Sequence, residues 1–236
     1  MKRVFILLMA SLLIANSCIE LEIVVPRGRI TGYERPTHIF RSVSVSGGME
    51  LIIRQGNRQE VIIEANENLH QYIITEVIDK TLRIYPMRGV TFTGSPLIRV
   101  YLTTDILESV YSGGGGLVDF ENGWDDNYLI CSISGGGELW GYLDLLKMDL
   151  SLSGGSSAFV DGYCDELFFK SSGGGETDAR GLLTQFSWVN ISGGGVAVLN
   201  VSDYLNVVAS GGSKVSYLGT PEVWTSLSGG SVVRRY

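Results

Sequence analysis

Ser134-Gly135-Gly136-Gly137, Ser153-Gly154-Gly155, Ser172-Gly173-Gly174-Gly175 and Ser192-Gly193-Gly194-Gly195 follow one another at steps of 19, 19 and 20 residues. The same run opens earlier as Ser112-Gly113-Gly114-Gly115-Gly116 and continues as Ser210-Gly211-Gly212 and Ser228-Gly229-Gly230. Across the whole series the serines are separated by 22, 19, 19, 20, 18 and 18 residues. A period near twenty marks a repeat architecture, in which each repeat is one small unit stacked on the last. Between the glycines the residues alternate, as in Ala197, Leu199, Val201 and then Leu205, Val207, Ala209. Alternation of this kind is the signature of half-buried strands.

These features predict an all-β chain folded as a right-handed parallel β-helix with about 18–22 residues per coil. Equivalent positions of neighbouring coils would lie one strand spacing apart, ~4.8 Å. Glycine reaches positive φ without strain, so it suits a tight corner. Stacked corners also leave no room for side chains between coils. Ser112, Gly113, Ser134, Gly135, Ser153, Gly154, Ser172, Gly173, Ser192, Gly193, Ser210, Gly211, Ser228 and Gly229 are therefore expected to form a structural corner stack.

Working outward, residues 38–236 form the expected β-helical domain, with less regular coils over 38–108 and regular repeats over 109–236. The earlier part carries short alternating runs such as Val61–Ile63, Ile73–Val77 and Leu82–Tyr85, separated by turns. Residues 18–37 are expected to be a tether and lead-in. Residues 1–17 have the form of a lipoprotein signal peptide. Met1-Lys2-Arg3 is basic, and Val4 to Ala15 is apolar but too short to span a bilayer. Ala15-Asn16-Ser17-Cys18 resembles a bacterial lipobox, with Ala15 where leucine is usual. That resemblance implies acylation of Cys18 and an outer-membrane lipoprotein of the cell envelope. Cys131 and Cys164 fall at different phases of the repeat, which favours two buried thiols over a bridge.

Several functions are disfavoured. A net charge of −7 without a basic cluster argues against nucleic acid. Ser-Gly-Gly-Gly lacks the Gly-Lys-Ser/Thr ending of a phosphate loop. The glycine runs are followed by Leu117, Glu138, Ser156, Glu176, Val196, Ser213 and Ser231, too rarely acidic for a metal ladder. Asp125-Asp126, Asp165-Glu166 and Glu176/Asp178 are the nearest approach to a glycosidase acid pair. Lys147, Lys170 and Arg180 would be the basic partners of a lyase. These residues scatter in phase, and His38 and His70 lie outside the repeats. The expectation is a non-enzymatic chain with no cofactor and no metal. Trp124, Trp140, Trp188 and Trp224 are the candidate binding surface, since exposed rings stack on sugars or bury in protein partners.

The strand series also resembles a known family. Phe40 with Val43-Ser44-Val45-Ser46-Gly47-Gly48, Glu60 to Leu69, Ile74-Thr75-Glu76-Val77 and Thr81-Leu82-Arg83-Ile84 look like the putative auto-transporter adhesin, head GIN domain family. The resemblance spans about residues 38 to 233. It implies a secreted or lipid-anchored β-helical protein with a proposed role in adhesion, and it supplies no catalytic residues. The expected function is an envelope-anchored adhesin or binding protein whose partners are the membrane, through its lipid, and a glycan or host or matrix protein. The alternatives are an assembly protein that forms homo-oligomers, or a polysaccharide-active β-helix enzyme. Labelled fatty acid should enter the wild-type chain and be lost in Cys18→Ala; unlabelled, soluble wild-type protein would refute the anchor.

Overall fold

The computed structural model describes residues 21–236. The expected signal peptide over 1–17, Cys18 and the start of the expected tether lie outside the described residues. The chain is 67% strand and forms a parallel β-solenoid of about 7 turns. Its regular part consists of β11 (Leu117–Ile133), β12 (Glu138–Ser153), β13 (Ser157–Ser172), β14 (Glu176–Ser192) and β15 (Val196–Ala209). These follow β1 (Glu22–Val24), β2 (Ile30–Glu34), β3 (Ser42–Val45), β4 (Glu50–Gln55), β5 (Glu60–Asn66), β6 (Ile73–Ile78), β7 (Thr81–Pro86), β8 (Val90–Phe92), β9 (Arg99–Thr104) and β10 (Ser109–Ser112). β16 (Lys214–Leu218), β17 (Glu222–Leu227) and β18 (Val232–Arg235) complete the series.

Each long strand serves two faces. The beginning of β11 pairs with β4, whereas its end pairs with β10. On the first face Leu51, Val118, Leu139, Ala158, Thr177, Ala197 and Val215 stack in one inward ladder. On the second face Val43, Val110, Cys131, Leu150, Phe169, Val189 and Val207 form another. All of these are buried. Full burial of each Leu, Val or Phe contributes about 1.5–3 kcal/mol, which makes the two ladders the main source of cohesion. Cys131 belongs to the second-face ladder, and Cys164 stacks on Leu145 between the faces. Both thiols are free. Burial holds them protonated, with Cys164 pushed up to about 12.

The glycine corners connect the end of one coil to the start of the next. Gly135 and Gly136 have φ of +77° and +81°. A Cβ on Gly135 would lie 2.9 Å from the backbone nitrogen of Gly114, and one on Gly137 would lie 2.6 Å from the carbonyl oxygen of Gly116. Both demands, left-handed backbone and coil-to-coil contact, exclude a side chain.

The column departs from the sequence expectation at its start. Gly114 stacks on Gly47, so Ser46-Gly47-Gly48 is the first corner although it lies far back in the chain. In the next corner Gly113, not Ser112, occupies the serine position, opposite the Ser134 hydroxyl. Ser112 instead pairs with Ile133 and turns into the core, where its Oγ finds no partner among the described residues. This one-place slip accounts for one residue of the long first step, and the strand irregularity between Phe120 and Trp124 accounts for the rest. A one-residue change of phase moves a strand side chain from one face to the other.

The N-terminal coils are also not stacked in sequence order. β3 lies between β10 and β7, and β4 lies between β11 and β9. The chain lays down β3–β4, crosses to the end of the rod to build β7 and β9, then returns to β10. Antiparallel β5 and β6 extend the two faces beyond β9 and β7. The 3-10 helix Glu67–Tyr72 joins them and inserts Leu69 as a plug. The expected tether is folded here too, since β2 pairs antiparallel with β5 and β1 pairs with β8. Pro86 sits over Gly47 and closes the glycine column.

Gly135→Ala should destabilise the fold by more than about 2 kcal/mol, combining left-handed strain with backbone collision. Chemical denaturation checks this; an unchanged midpoint would contradict the stacked-corner account.

Candidate binding groove

On the outer side of the first face, Asp119, Trp140, Phe159 and Asp178 stand on successive strands in one row. They lie six places after Gly113, Ser134, Ser153 and Ser172 respectively. Trp140 and Phe159 stack with ring centroids 4.3 Å apart and planes at 25°. Cross-strand aromatic pairs of this kind stabilise a sheet modestly, by about 0.2–1 kcal/mol. Because Phe159 covers one side of the indole, the other side turns towards the shorter Asp119. Trp140 is 43% exposed. Its Nε1 donates to Glu138 Oε2 at 2.9 Å, which steadies the ring.

The row borders a groove of about 780 Å³, lined also by Glu121, Tyr142, Asp161 and Arg180. It lies where the strands are irregular. The pairing of β11 with β12 shifts between Phe120 and Trp124, and that of β13 with β14 shifts between Phe159 and Gly162. Gly141 leaves space for Phe120 beneath the groove floor, where a Cβ would meet the Phe120 Cβ at 2.7 Å.

The two acids of the row differ. Arg180 Nε donates to Asp178 Oδ1 at 2.8 Å, and this side-chain hydrogen bond holds the Asp178 carboxyl below its ordinary range. Asp119 belongs to no ion pair among the described residues. Burial, helped by the nearby charge of Glu121, raises its carboxyl above the ordinary range. One acid is thus occupied, and the other keeps acceptor capacity beside an open aromatic face.

The four tryptophans read from the sequence do not share a surface. Trp124 is only 2% exposed and packs in the core, 6.0 Å from Phe120. Its removal from the candidate surface is a correction, and its physical reason is the strand irregularity that turns its side chain inward. Trp188 lies on the second face, stacked on Phe168 at 4.6 Å with Tyr204 at 6.2 Å on its flank. Its ring faces are engaged by neighbours, and Lys147 covers Phe168. Trp224 is 59% exposed on the last second-face strand, away from the groove. Trp140 alone of the four enters the groove. Phe159, Tyr142 and Asp119 were legible only if every residue, and not tryptophan alone, was placed by its offset from the corner.

No three potential metal-ligating side chains converge among the described residues. His70 is buried in the N-terminal cap, where its Nε2 lies 3.0 Å from the Thr31 carbonyl oxygen. Burial lowers its pKa.

The model of the family described as putative auto-transporter adhesin, head GIN domain, matches residues 39–221. The chain belongs to this family. Among solved structures, a putative adhesin of Bacteroides fragilis superposes with a TM-score of 0.83 at 19% identity, covering 90% of this chain and 98% of that one. A putative lipid binding protein of Parabacteroides distasonis gives 0.76 at 20%, covering 91% and 100%. A putative adhesin of Parabacteroides merdae gives 0.74 at 19%, covering 91% and 99%. At such identities the likeness establishes the shared solenoid. No curated protein matches the sequence. Family membership supports an adhesin-like binding role at the cell surface or envelope.

Asp119 provides a direct check on the groove's electrostatics. A carboxyl whose pKa is raised by folding contributes stability that is present below the unfolded value and lost as pH rises to the folded one. Asp119→Asn should therefore melt at an equal or higher temperature than wild type at pH 7, and the difference should vanish at pH 3. Thermal melts at both pH values test it; a lower melting temperature at pH 7 would show Asp119 to be structurally paired.

Proposed function

We propose that this chain is a non-enzymatic, adhesin-like binding protein of the cell envelope, displayed from acylated Cys18, and that its groove takes a glycan. The observation that carries the reading is the open face of Trp140. Sugar rings present flat C–H surfaces to aromatic rings, while their hydroxyls need acceptors and donors at the edge. Asp119 and Asp161 supply acceptors, Arg180 supplies a donor, and Trp140 with Tyr142 supplies the apolar platform. The ladder repeats at the strand spacing, so successive sugars of an extended chain would meet successive coils.

A binding reading also suits the rest of the surface. The acids of the row sit at opposite ends of an aromatic pair, and one is neutralised by Arg180. The groove is open and lies on strands, so its residues are held by the ladder below and need no closure.

A glycan array probed with the mature chain should give specific hits. Trp140→Ala should weaken the best of them at least about tenfold, equivalent to about 1.4 kcal/mol. Trp188→Ala should bind like wild type. An array without hits, or hits indifferent to Trp140→Ala, would overturn the assignment.

A further inference from the structure

The row that crosses the groove is interrupted at one place. On the outer side of the first face, Ile52, Asp119, Trp140 and Phe159 stand on the neighbouring strands β4, β11, β12 and β13. Three of the four are bulky and apolar, and Asp119 is the short one. Trp140 and Phe159 lie against each other at 4.3 Å, so that part of the ladder is filled. From Ile52 to Trp140 the row spans two strand spacings, ~9.6 Å, with only the small Asp119 between them. A ring that touches both sides at about 4–4.5 Å fits such a gap. Asp119 forms the floor of this slot.

The charges around the slot do not cancel. Asp119, Glu121, Asp161 and Asp178 line the groove as acids, and Arg180 lines it as a base. Arg180 is engaged by Asp178, and Glu121 accepts from Arg54 Nη2 at 3.0 Å. Asp119 and Asp161 belong to no ion pair among the described residues. Asp161 pairs in register with Tyr142, which is 61% exposed. Its carboxylate lies over Gly181, where a Cβ would meet Oδ1 at 1.7 Å. Two carboxylates therefore share the groove with an open indole face and an exposed phenol, and neither has a cation of its own.

Given the glycan reading of the groove, on which this rests, we infer that the ring seated in the slot carries an ammonium group and that the groove selects amino sugars with free amines. A cation is attracted to the face of an aromatic ring, and best to that of tryptophan. The same cation is held by a neighbouring carboxylate, through charge-assisted hydrogen bonds stronger than neutral ones. A hydroxyl in its place would bond Asp119 and leave the charge uncancelled. Burial, with the charge of Glu121 nearby, already disfavours the ionised Asp119 carboxyl. An ammonium beside it offsets that cost. Acetylation of the amine removes the positive charge and adds a carbonyl that a carboxylate cannot bond. An acidic sugar would meet like charge. A metal ion does not suit the slot, because no three ligating side chains converge among the described residues.

Calorimetric titration of the mature chain compares glucosamine oligomers with their N-acetylated counterparts, in mildly acidic buffer that keeps the amines charged. The amine form should bind at least about tenfold more tightly. Trp140→Ala should weaken its binding, and Asp119→Asn should bring the two forms to similar affinity. Asp203→Asn removes an exposed acid outside the groove and should leave the preference intact. If that variant abolished the preference, the attraction would be to the acidic chain at large and the proposal would fail. Equal binding of the two forms, or a preference that survives Asp119→Asn, would also overturn it. If Asp119→Asn does not fold, the comparison of the two forms on the wild type decides the matter. Neutral glycans bound through Trp140, without preference for an amine, would leave the glycan reading standing and remove this one. Failure to bind any glycan would remove both. Tetralysine that binds with the same dependence on Trp140 and Asp119, where amino sugars do not, would assign the slot to a basic peptide and overturn the proposal.

Discussion

The close approach of backbone to backbone along the glycine column is the constraint on which the rest of the molecule depends. Each corner has to reverse the chain within a few residues and still lie one strand spacing from the corners on either side. Left-handed backbone satisfies the first condition, and the absence of a Cβ satisfies the second. Where both hold, as at Gly135 against Gly114, the coils close to ladder distance along their whole circumference. The inward Leu, Val and Phe residues can then stack in register. The hydrophobic ladders stabilise the fold, but the corners set the spacing at which they can form.

That regularity has consequences at both ends of the rod. A stack of parallel coils leaves an open core and free edges wherever it stops. At one end the chain resolves the problem by leaving sequence order. It crosses to build β7 and β9 outside β3 and β4, then plugs the end with a short helix and antiparallel strands. Among the last described strands, Leu227 of an inward ladder is still 43% exposed. The groove sits on the flank of the middle coils, and the caps act at the ends.

Much of this was legible in the sequence because a repeat reports its own period. The corner spacing, the alternation between corners and the family resemblance all indicate the same solenoid. Ser112 shows where such reading slips, since a serine beside glycines is identical in sequence whether it turns the corner or precedes it. Trp124 shows a second limit. Its side is decided by a strand irregularity that carries no strong local signal, and the indole is buried as a result. The groove row was recoverable in principle, because Asp119, Trp140, Phe159 and Asp178 share one offset from their corners. Counting from Ser112 would have displaced Asp119 from the row.

By itself the sequence determined the class of fold, the length of the coil and the role of the glycines, because these follow from periodicity and from what a residue without Cβ permits. Only the tertiary structure decided the stacking order of the N-terminal coils, the burial of Trp124 and the meeting of Trp140 with Asp119. The physical reason is that a coil's neighbours are chosen by pairing and core closure across long sequence separations. Ser46-Gly47-Gly48 stacks beneath Gly113-Gly114-Gly115 because the end of the rod had to be closed by the chain between them.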